Sequence, residues 1–191
     1  MTAIAIIPAR GGSTRIPRKN IKDFNGKPLI AYSIENALNS KVFSHVFVST
    51  DDPEIAEVSK KYGATIPFLR DKSLADNYTT AYDALKDATK KLAKDYEFDT
   101  VACIYATAPL ITSEDLQKAY KQYQEDKATY LYALCEFPFP IQRAVFIRGK
   151  EIVPFMPECF LKRSQDLEVG YQDTGTFYFY KKELLLETSD D

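Results

Sequence analysis

Short apolar runs rich in β-branched residues alternate along this chain with amphipathic stretches, and that alternation leaves few folds open. The runs are Ala3–Ile7, His45–Thr50, Thr100–Ala106 and Tyr130–Glu136. Ala3–Ile7 is apolar throughout, which suits a strand buried on both faces, and Thr100–Ala106 reads as another buried strand. Between the runs the apolar residues recur at helical spacing. Pro28 fits a first helical position, and Ile30, Ile34, Ala37 and Leu38 follow as one stripe. Asp52 and Pro53 fit the N-cap and N1 positions of a second helix, with Ile55, Ser59 and Tyr62 on one face and Gly63 as its stop. Thr80 to Lys94 aligns Ala81, Ala84, Leu85, Ala88 and Leu92. Ser113 fits the cap of a helix carrying Leu116, Ala119, Tyr120 and Tyr123. "TIPFL" reads as a weaker strand made irregular by Pro67. Strands alternating with helices in this way predict a parallel sheet with helices on both faces.

After Glu136 the pattern changes. "AVFIRGKEIVPF" reads as a hairpin turning at Gly149, "GTFYFY" as a strand rejoining the main sheet, and "KKELLLE" as the start of a helix. The expected organisation is one domain over 1–191 with an irregular insertion near 137–170. A length of 191 residues suffices for one full core, and a net charge of −2 gives no global basic field for nucleic acid or a membrane surface. The apolar N-terminal run is too short for a signal peptide or a span, so a cytoplasmic location is expected. Cys103 and Cys135 lie in apolar runs and are expected to be buried, with Cys159 more exposed. His45 is the sole histidine, which argues against a His-based zinc site or a serine triad. Chemistry must come from Arg, Lys, carboxylates, amides, hydroxyls and the backbone.

Against this mildly acidic background, "IPARGGSTRIPRKN" (Ile7 to Asn20) gathers Arg10, Arg15, Arg18 and Lys19 on one loop. It directly follows the first strand, where open α/β sheets place ligands. Gly11 and Gly12 permit close backbone approach to an anion, and successive amides can form an anion-binding nest. The spacing is neither that of the dinucleotide fingerprint nor that of the Walker A loop. A solvated basic loop is the alternative.

"IIPARGGSTRIPRKNIKDFNGKPLIAYSI" resembles the N-terminal signature of the CMP-sugar synthetases, the acylneuraminate cytidylyltransferase family. "VSTDDPEIAEVSKKYGA", "PFLRDKSLAD", "YATAPL" and "KRSQDLEVGYQDTGTFYF" continue the resemblance in order, so that it covers essentially the whole chain. "FPFPIQRA" and "RSQDLE" are most similar to the pseudaminic acid branch. The resemblance implies a three-layer α/β/α nucleotide-diphospho-sugar transferase-like (Rossmann-like) fold, with a mostly parallel sheet and a hairpin-containing insertion for dimerisation. It also implies a reaction in which CTP and a nine-carbon sugar acid give a CMP-sugar and pyrophosphate. The anomeric hydroxyl attacks the α-phosphate in line, which needs positioning and charge neutralisation more than covalent help.

Carried onto this sequence, the resemblance makes Arg10 and Lys19 the catalytic cations at the triphosphate. Ala9, Arg10, Gly11, Gly12, Ser13 and Asn20 become nucleotide contacts in the loop. Arg70, with Asp76 and Thr80 nearby, matches the cytosine-side motif; a surface arginine at a strand end is the alternative for Arg70. Tyr105 and Thr107 match sugar contacts, with core packing the alternative for Tyr105. Gln142, Arg143, Arg163 and Gln165 match residues of the insertion that reach the sugar acid, and a guanidinium suits its carboxylate; ordinary interface polarity is the alternative. Asp173 faces the sugar in relatives, or forms a turn. The implied cofactor is Mg²⁺, its protein ligands unassigned, and the implied partners are CTP, a sugar acid and a second copy of the chain.

This sequence departs from the family at three places. Thr14 stands where family loops usually carry Lys, which removes a phosphate-facing cation. Ala106 replaces a typical proline. Relatives continue into a segment with an Asp-x-Asp motif for magnesium, whereas here nothing follows Asp191 and "TSDD" offers only the adjacent Asp190 and Asp191. The expectation is a chain that binds CTP and turns over slowly unless another carboxylate substitutes. The alternatives are a synthetase for legionaminic, sialic or a deoxy-octulosonic acid, a non-catalytic CTP-binding homologue, and a structural dimer without ligand.

Overall fold

The computed structural model describes residues 2–76 and 78–187. The chain divides into two compact units, Met1–Tyr132 with Gly175–Asp191, and Ala133–Thr174. In chain order the strands and helices are β1 (Ala3–Pro8), β2 (Asp23–Phe24), β3 (Lys27–Pro28), α1 (Leu29–Ser40), β4 (Phe43–Ser49), α2 (Pro53–Lys61), α3 (Ala81–Leu92), β5 (Thr100–Ile104), α4 (Ser113–Glu125), β6 (Tyr130–Glu136), β7 (Val145–Arg148), β8 (Glu151–Pro154), β9 (Tyr171–Lys181) and α5 (Lys182–Leu186).

The main sheet has the order β4-β1-β5-β9-β6. β1 pairs in parallel with both β4 and β5, Ile6 lying between Phe47 and Cys103. Strand alternation sends Ile4 and Ile6 to one face, where they join Phe47, Val101, Cys103 and Tyr178 under Leu85, Ala88 and Leu92 of α3 and Leu185 of α5. Ala5 and Ile7 point the other way, towards the layer where α1 and α4 pack together and the Tyr123 ring lies 5.8 Å from Phe179. β1 and β5 are thus buried on both faces, as their composition predicts, whereas β6 has no buried residue.

Several boundaries differ from the sequence reading. β9 runs antiparallel to β5, so the sheet is mixed, although α4 lies between these two strands along the chain. Pro28 sits at the N-cap with ψ 138°, because it closes the β2–β3 pairing before α1 begins. Thr112, not Ser113, caps α4, since its hydroxyl and amide form a reciprocal pair with the N3 residue Asp115. "TIPFL" contributes one isolated bridge, Phe47 to Thr65, and no strand. β5 ends at Ile104, where a turn closed by Ala108 N–H on the Tyr105 carbonyl (3.2 Å) takes over. Cys103 is buried as expected, and burial pushes its thiol up to about 12. Cys135 and Cys159 reverse the expectation. Cys135 is exposed towards the end of edge strand β6, whereas Cys159 is buried in a short 3-10 turn, Pro157–Cys159. An apolar run alone does not say which side of a strand end is covered.

In the second unit, β7 and β8 form the predicted hairpin, with Gly149 at φ 64° in its turn and Ile147 opposite Ile152. Both isoleucines are exposed, at 78% and 69%.

Candidate active site

The parallel strands β1, β4 and β5 end at one edge of the sheet, and the segments that follow them build a cleft. Arg10, Ser13, Thr14, Arg15, Lys19 and Asn20 come from the loop after β1; Tyr105, Ala106 and Thr107 follow β5; Thr79, Thr80 and Ala84 come from the start of α3; Arg70 completes the lining. The cleft has a volume of about 270 Å³.

The loop is held by its own polar groups. The amide of Ala9 donates to the Ser49 carbonyl at 2.9 Å, tying the exit of β1 to that of β4. The side-chain amide of Asn20, a buried residue, donates to the Arg10 carbonyl at 3.0 Å and so closes the loop on itself. Gly11 N–H donates to Asp51 Oδ1 at 2.9 Å, and Ser13 N–H to the Gly11 carbonyl at 2.9 Å. A Cβ on Gly11 would lie 2.6 Å from Asp52 Oδ2, whereas one on Gly12 would meet nothing nearer than 4.0 Å. Close approach therefore requires glycine at 11 only, and what approaches is Asp52.

The four cations of the loop take different roles. Arg10 donates through Nη1 to the Asp76 carbonyl while lining the cleft. Arg15 and Lys19 line it as well. Arg18 turns away, adopts φ 54°, and pairs with Asp52 and Glu54 on α2. Arg15 was not among the expected site residues, because spacing alone does not tell Arg15 from Arg18.

Arg70 is no surface residue: it is 5% exposed. Its Nε donates to Ser49 Oγ at 3.1 Å, and its Nη2 donates to the Ser49 carbonyl. Burial pulls this guanidinium down from its ordinary value, opposed by the carboxylates of Asp51 and Asp87. Asp51 had no sequence signal beyond its place after a strand.

Asp76 lies beside the loop in an adjoining hollow with Gly11, Gly12 and Tyr78. Its carboxylate accepts from Tyr78 N–H (2.9 Å), Thr79 N–H (2.6 Å) and Thr79 Oγ1 (2.7 Å), which hold it below the usual carboxylate range. Thr80 caps α3, its hydroxyl and amide both engaged with Asp83. The Tyr105 ring packs 5.5 Å from Tyr178, and the residue also lines the cleft beside Thr107.

The other expected contacts lie in the second unit. Gln142 Nε2 donates to the Glu168 carbonyl at 2.7 Å, Arg143 Nη1 to Ser164 Oγ at 3.1 Å, and Arg163 to both oxygens of Asp166 at 2.6 and 3.1 Å. Gln165 and Asp173 belong to the same unit. Asp190 and Asp191 lie outside the described residues. Among the described residues, no group of three His, Cys, Asp or Glu side chains is placed to hold a metal ion.

A family model described as cytidylyltransferase matches residues 4–183. The chain belongs to the cytidylyltransferase family. Over 189 residues it is 48% identical to the pseudaminic acid cytidylyltransferase of Campylobacter jejuni serotype O:23/36, covering 98% of this chain and 82% of that protein. It is 32% identical to the CMP-N,N'-diacetyllegionaminic acid synthase of Legionella pneumophila, over 98% of this chain and 81% of that one. Among solved structures, a CMP:2-keto-3-deoxy-manno-octonic acid synthetase complexed with CTP superposes with a TM-score of 0.75, covering 97% of this chain and 76% of that chain. At 22% identity this likeness shows the fold alone. The cytidylyltransferase fold thus sets its strand-end cleft beneath the cation-rich loop.

Proposed function

We propose that this cytidylyltransferase joins CMP from CTP to pseudaminic acid and releases pyrophosphate. The observation that carries the reading is 48% identity to a pseudaminic acid cytidylyltransferase over 98% of the chain. The cleft supports it with three cations, Arg10, Arg15 and Lys19, on one loop. These neutralise the triphosphate, and Arg10 and Lys19 also stabilise the charge that grows on the leaving pyrophosphate. The anomeric hydroxyl releases its proton to solvent and its oxygen bonds to the α-phosphorus as the bond from that phosphorus to the bridging oxygen breaks, the electron pair leaving with pyrophosphate. The protein holds these groups in line and contributes no covalent intermediate. Ala9, Gly11, Gly12, Ser13 and Asn20 shape the phosphate side. Arg70, Asp76 and Thr80 shape the base side, and Tyr105 and Thr107 meet the sugar. Gln142, Arg143, Arg163, Gln165 and Asp173 are proposed as sugar-acid contacts on the family resemblance.

The described residues do not form a cage for Mg²⁺. Magnesium commonly keeps water and substrate phosphates as ligands, with one or two carboxylates from protein. The donor set therefore suits an ion carried in on the triphosphate, and no step is assigned to a protein-bound metal.

Pyrophosphate release, measured with CTP and a panel of sugar acids, tests the reading. Turnover with pseudaminic acid at least about tenfold above N,N'-diacetyllegionaminic acid is expected. The reverse order would favour the legionaminic reading, which the Legionella relative supports. Saturable CTP binding without pyrophosphate release would favour a non-catalytic homologue.

A homodimer through the second unit and a cytoplasmic location belong to the same proposal. Phe139, Ile147 and Leu161 of that unit are 80%, 78% and 94% exposed in the single chain, and exposed apolar side chains of this size support a contact there. Among the described residues, no helix is long and apolar enough to cross a membrane. Sedimentation velocity is expected to give a dimer that Ile147→Asp dissociates; a wild-type monomer at high concentration would count against it.

A further inference from the structure

The turn between β4 and α2 is built into the cleft without lining it. Its two acidic residues, Asp51 and Asp52, grip opposite ends of the cation-rich loop. Asp51 accepts the Gly11 amide at the start, 2.9 Å away. Asp52 accepts from both terminal nitrogens of Arg18 at the far end, one of them at 3.1 Å, while its Oδ2 packs where a Gly11 Cβ would stand. Asp52 is anchored in turn. Its Oδ1 accepts the amides of Glu54 (2.9 Å) and Ile55 (3.0 Å), capping α2. Arg18 is held further by Glu54 and takes a left-handed conformation that few non-glycine residues adopt without support. Arg10, Arg15 and Lys19 lie between or beside these two anchor points and face the cleft.

We propose that Asp51 and Asp52, with Arg18 as the partner of Asp52, are positioning residues for triphosphate recognition: they hold the loop in the one arrangement that presents its cations to the β- and γ-phosphates. This rests on the CTP reading of the cleft. The physical ground is that a loop whose ends are fixed does not have to be ordered when the nucleotide binds. An unfastened loop leaves its cations near the cleft but dispersed. For the Asp52–Arg18 pair the loss should fall on contacts to the outer phosphates, which the loop supplies, and spare the nucleoside end, where Arg70 is held by Ser49 and by neither member of that pair.

The test compares affinity for CTP and for CMP by calorimetry, with thermal melting as the control for folding. Asp52→Asn keeps an N-cap acceptor and nearly the same shape but loses the charge that Arg18 needs. Arg18→Gln removes the same pair from the loop side, where the residue is part-exposed and its loss does not threaten the core. Each is expected to weaken CTP about tenfold, leave CMP within about twofold, and keep the melting temperature near wild type. The double variant is expected to be no worse than either single, since both break one pair. Asp51→Asn retains an oxygen for Gly11 N–H and is expected to bind CTP far better than Asp51→Ala. Equal loss of CTP and CMP, or wild-type CTP affinity in both Asp52→Asn and Arg18→Gln, would overturn the proposal while leaving the CTP reading intact. A wild-type protein that binds neither nucleotide would overturn the CTP reading and this inference with it.

Discussion

Arg70 is clamped on Ser49, its Nε on the hydroxyl at 3.1 Å and its Nη2 on the carbonyl, while that same carbonyl accepts the amide of Ala9 at 2.9 Å. One residue at the end of β4 thereby joins the exit of β1 to a buried cation of the cleft. Replacing Arg70 with Met keeps much of its volume but strands Ser49 Oγ. We expect a stability loss of about 1–3 kcal/mol and CTP affinity lower by at least about tenfold. Arg70→Lys should fall between, because an ammonium keeps the charge without the planar fork. Calorimetry and urea denaturation measure both quantities.

The two loop glycines are predicted to differ. Gly11→Ala drives a methyl to within 2.6 Å of Asp52 Oδ2, so the loop must move. Its CTP affinity is expected to drop at least about tenfold, as contacts to the phosphates are lost. Gly12→Ala meets nothing nearer than 4.0 Å and needs no left-handed backbone, so the same titration should give a change of less than about threefold.

Two capping boxes of the same form allow a controlled comparison. Thr112 caps α4 away from the cleft, and Thr80 caps α3 while lining it. Thr112→Ala should cost about 1 kcal/mol and lower the melting temperature by about 2–4 °C, with CTP binding unchanged. Thr80→Ala should cost a similar amount and weaken CTP as well. Differential scanning calorimetry with and without CTP separates the two.

The capping carboxylates also set an acid limit. Asp83 and Asp115 lie below their ordinary value of 3.8, first because the threonine hydroxyls donate to them and then because the threonine amides do. Asp52 is lowered chiefly by Arg18. A carboxyl whose folded value is depressed stabilises the fold above its unfolded value, and the contribution is lost as pH falls through the folded one. Urea midpoints should therefore be flat near neutrality and fall below about pH 4. Asp115→Asn should start lower and lose less across that acid range; an acid slope as steep as wild type would contradict the assignment.

Periodicity and end signals made much of this protein legible. Apolar runs located β1, β4, β5 and β6, and the Asp52–Pro53 and Gly63 signals placed α2 with its ends correct. Local chemistry decides such features, because a cap or a buried strand is recognised within a few residues of itself. The gathering of positive charge on the loop that lines the cleft was legible for the same reason, its cations and glycines being adjacent in sequence.

What required the tertiary structure was every choice between equivalent neighbours. Arg15 and Arg18 are alike in sequence, yet one lines the cleft and the other pairs with Asp52. Cys135 and Cys159 exchanged their expected environments. Arg70 could have been a surface residue until Ser49, far from it along the chain, supplied its acceptors. The antiparallel course of β9 likewise depended on its neighbour and not on its composition. The sequence determined which elements form and where positive charge gathers. Only the packing of distant segments decided which side chains are covered, which are paired, and which are left to face a ligand, because burial and charge pairing are properties of residues brought together across the fold.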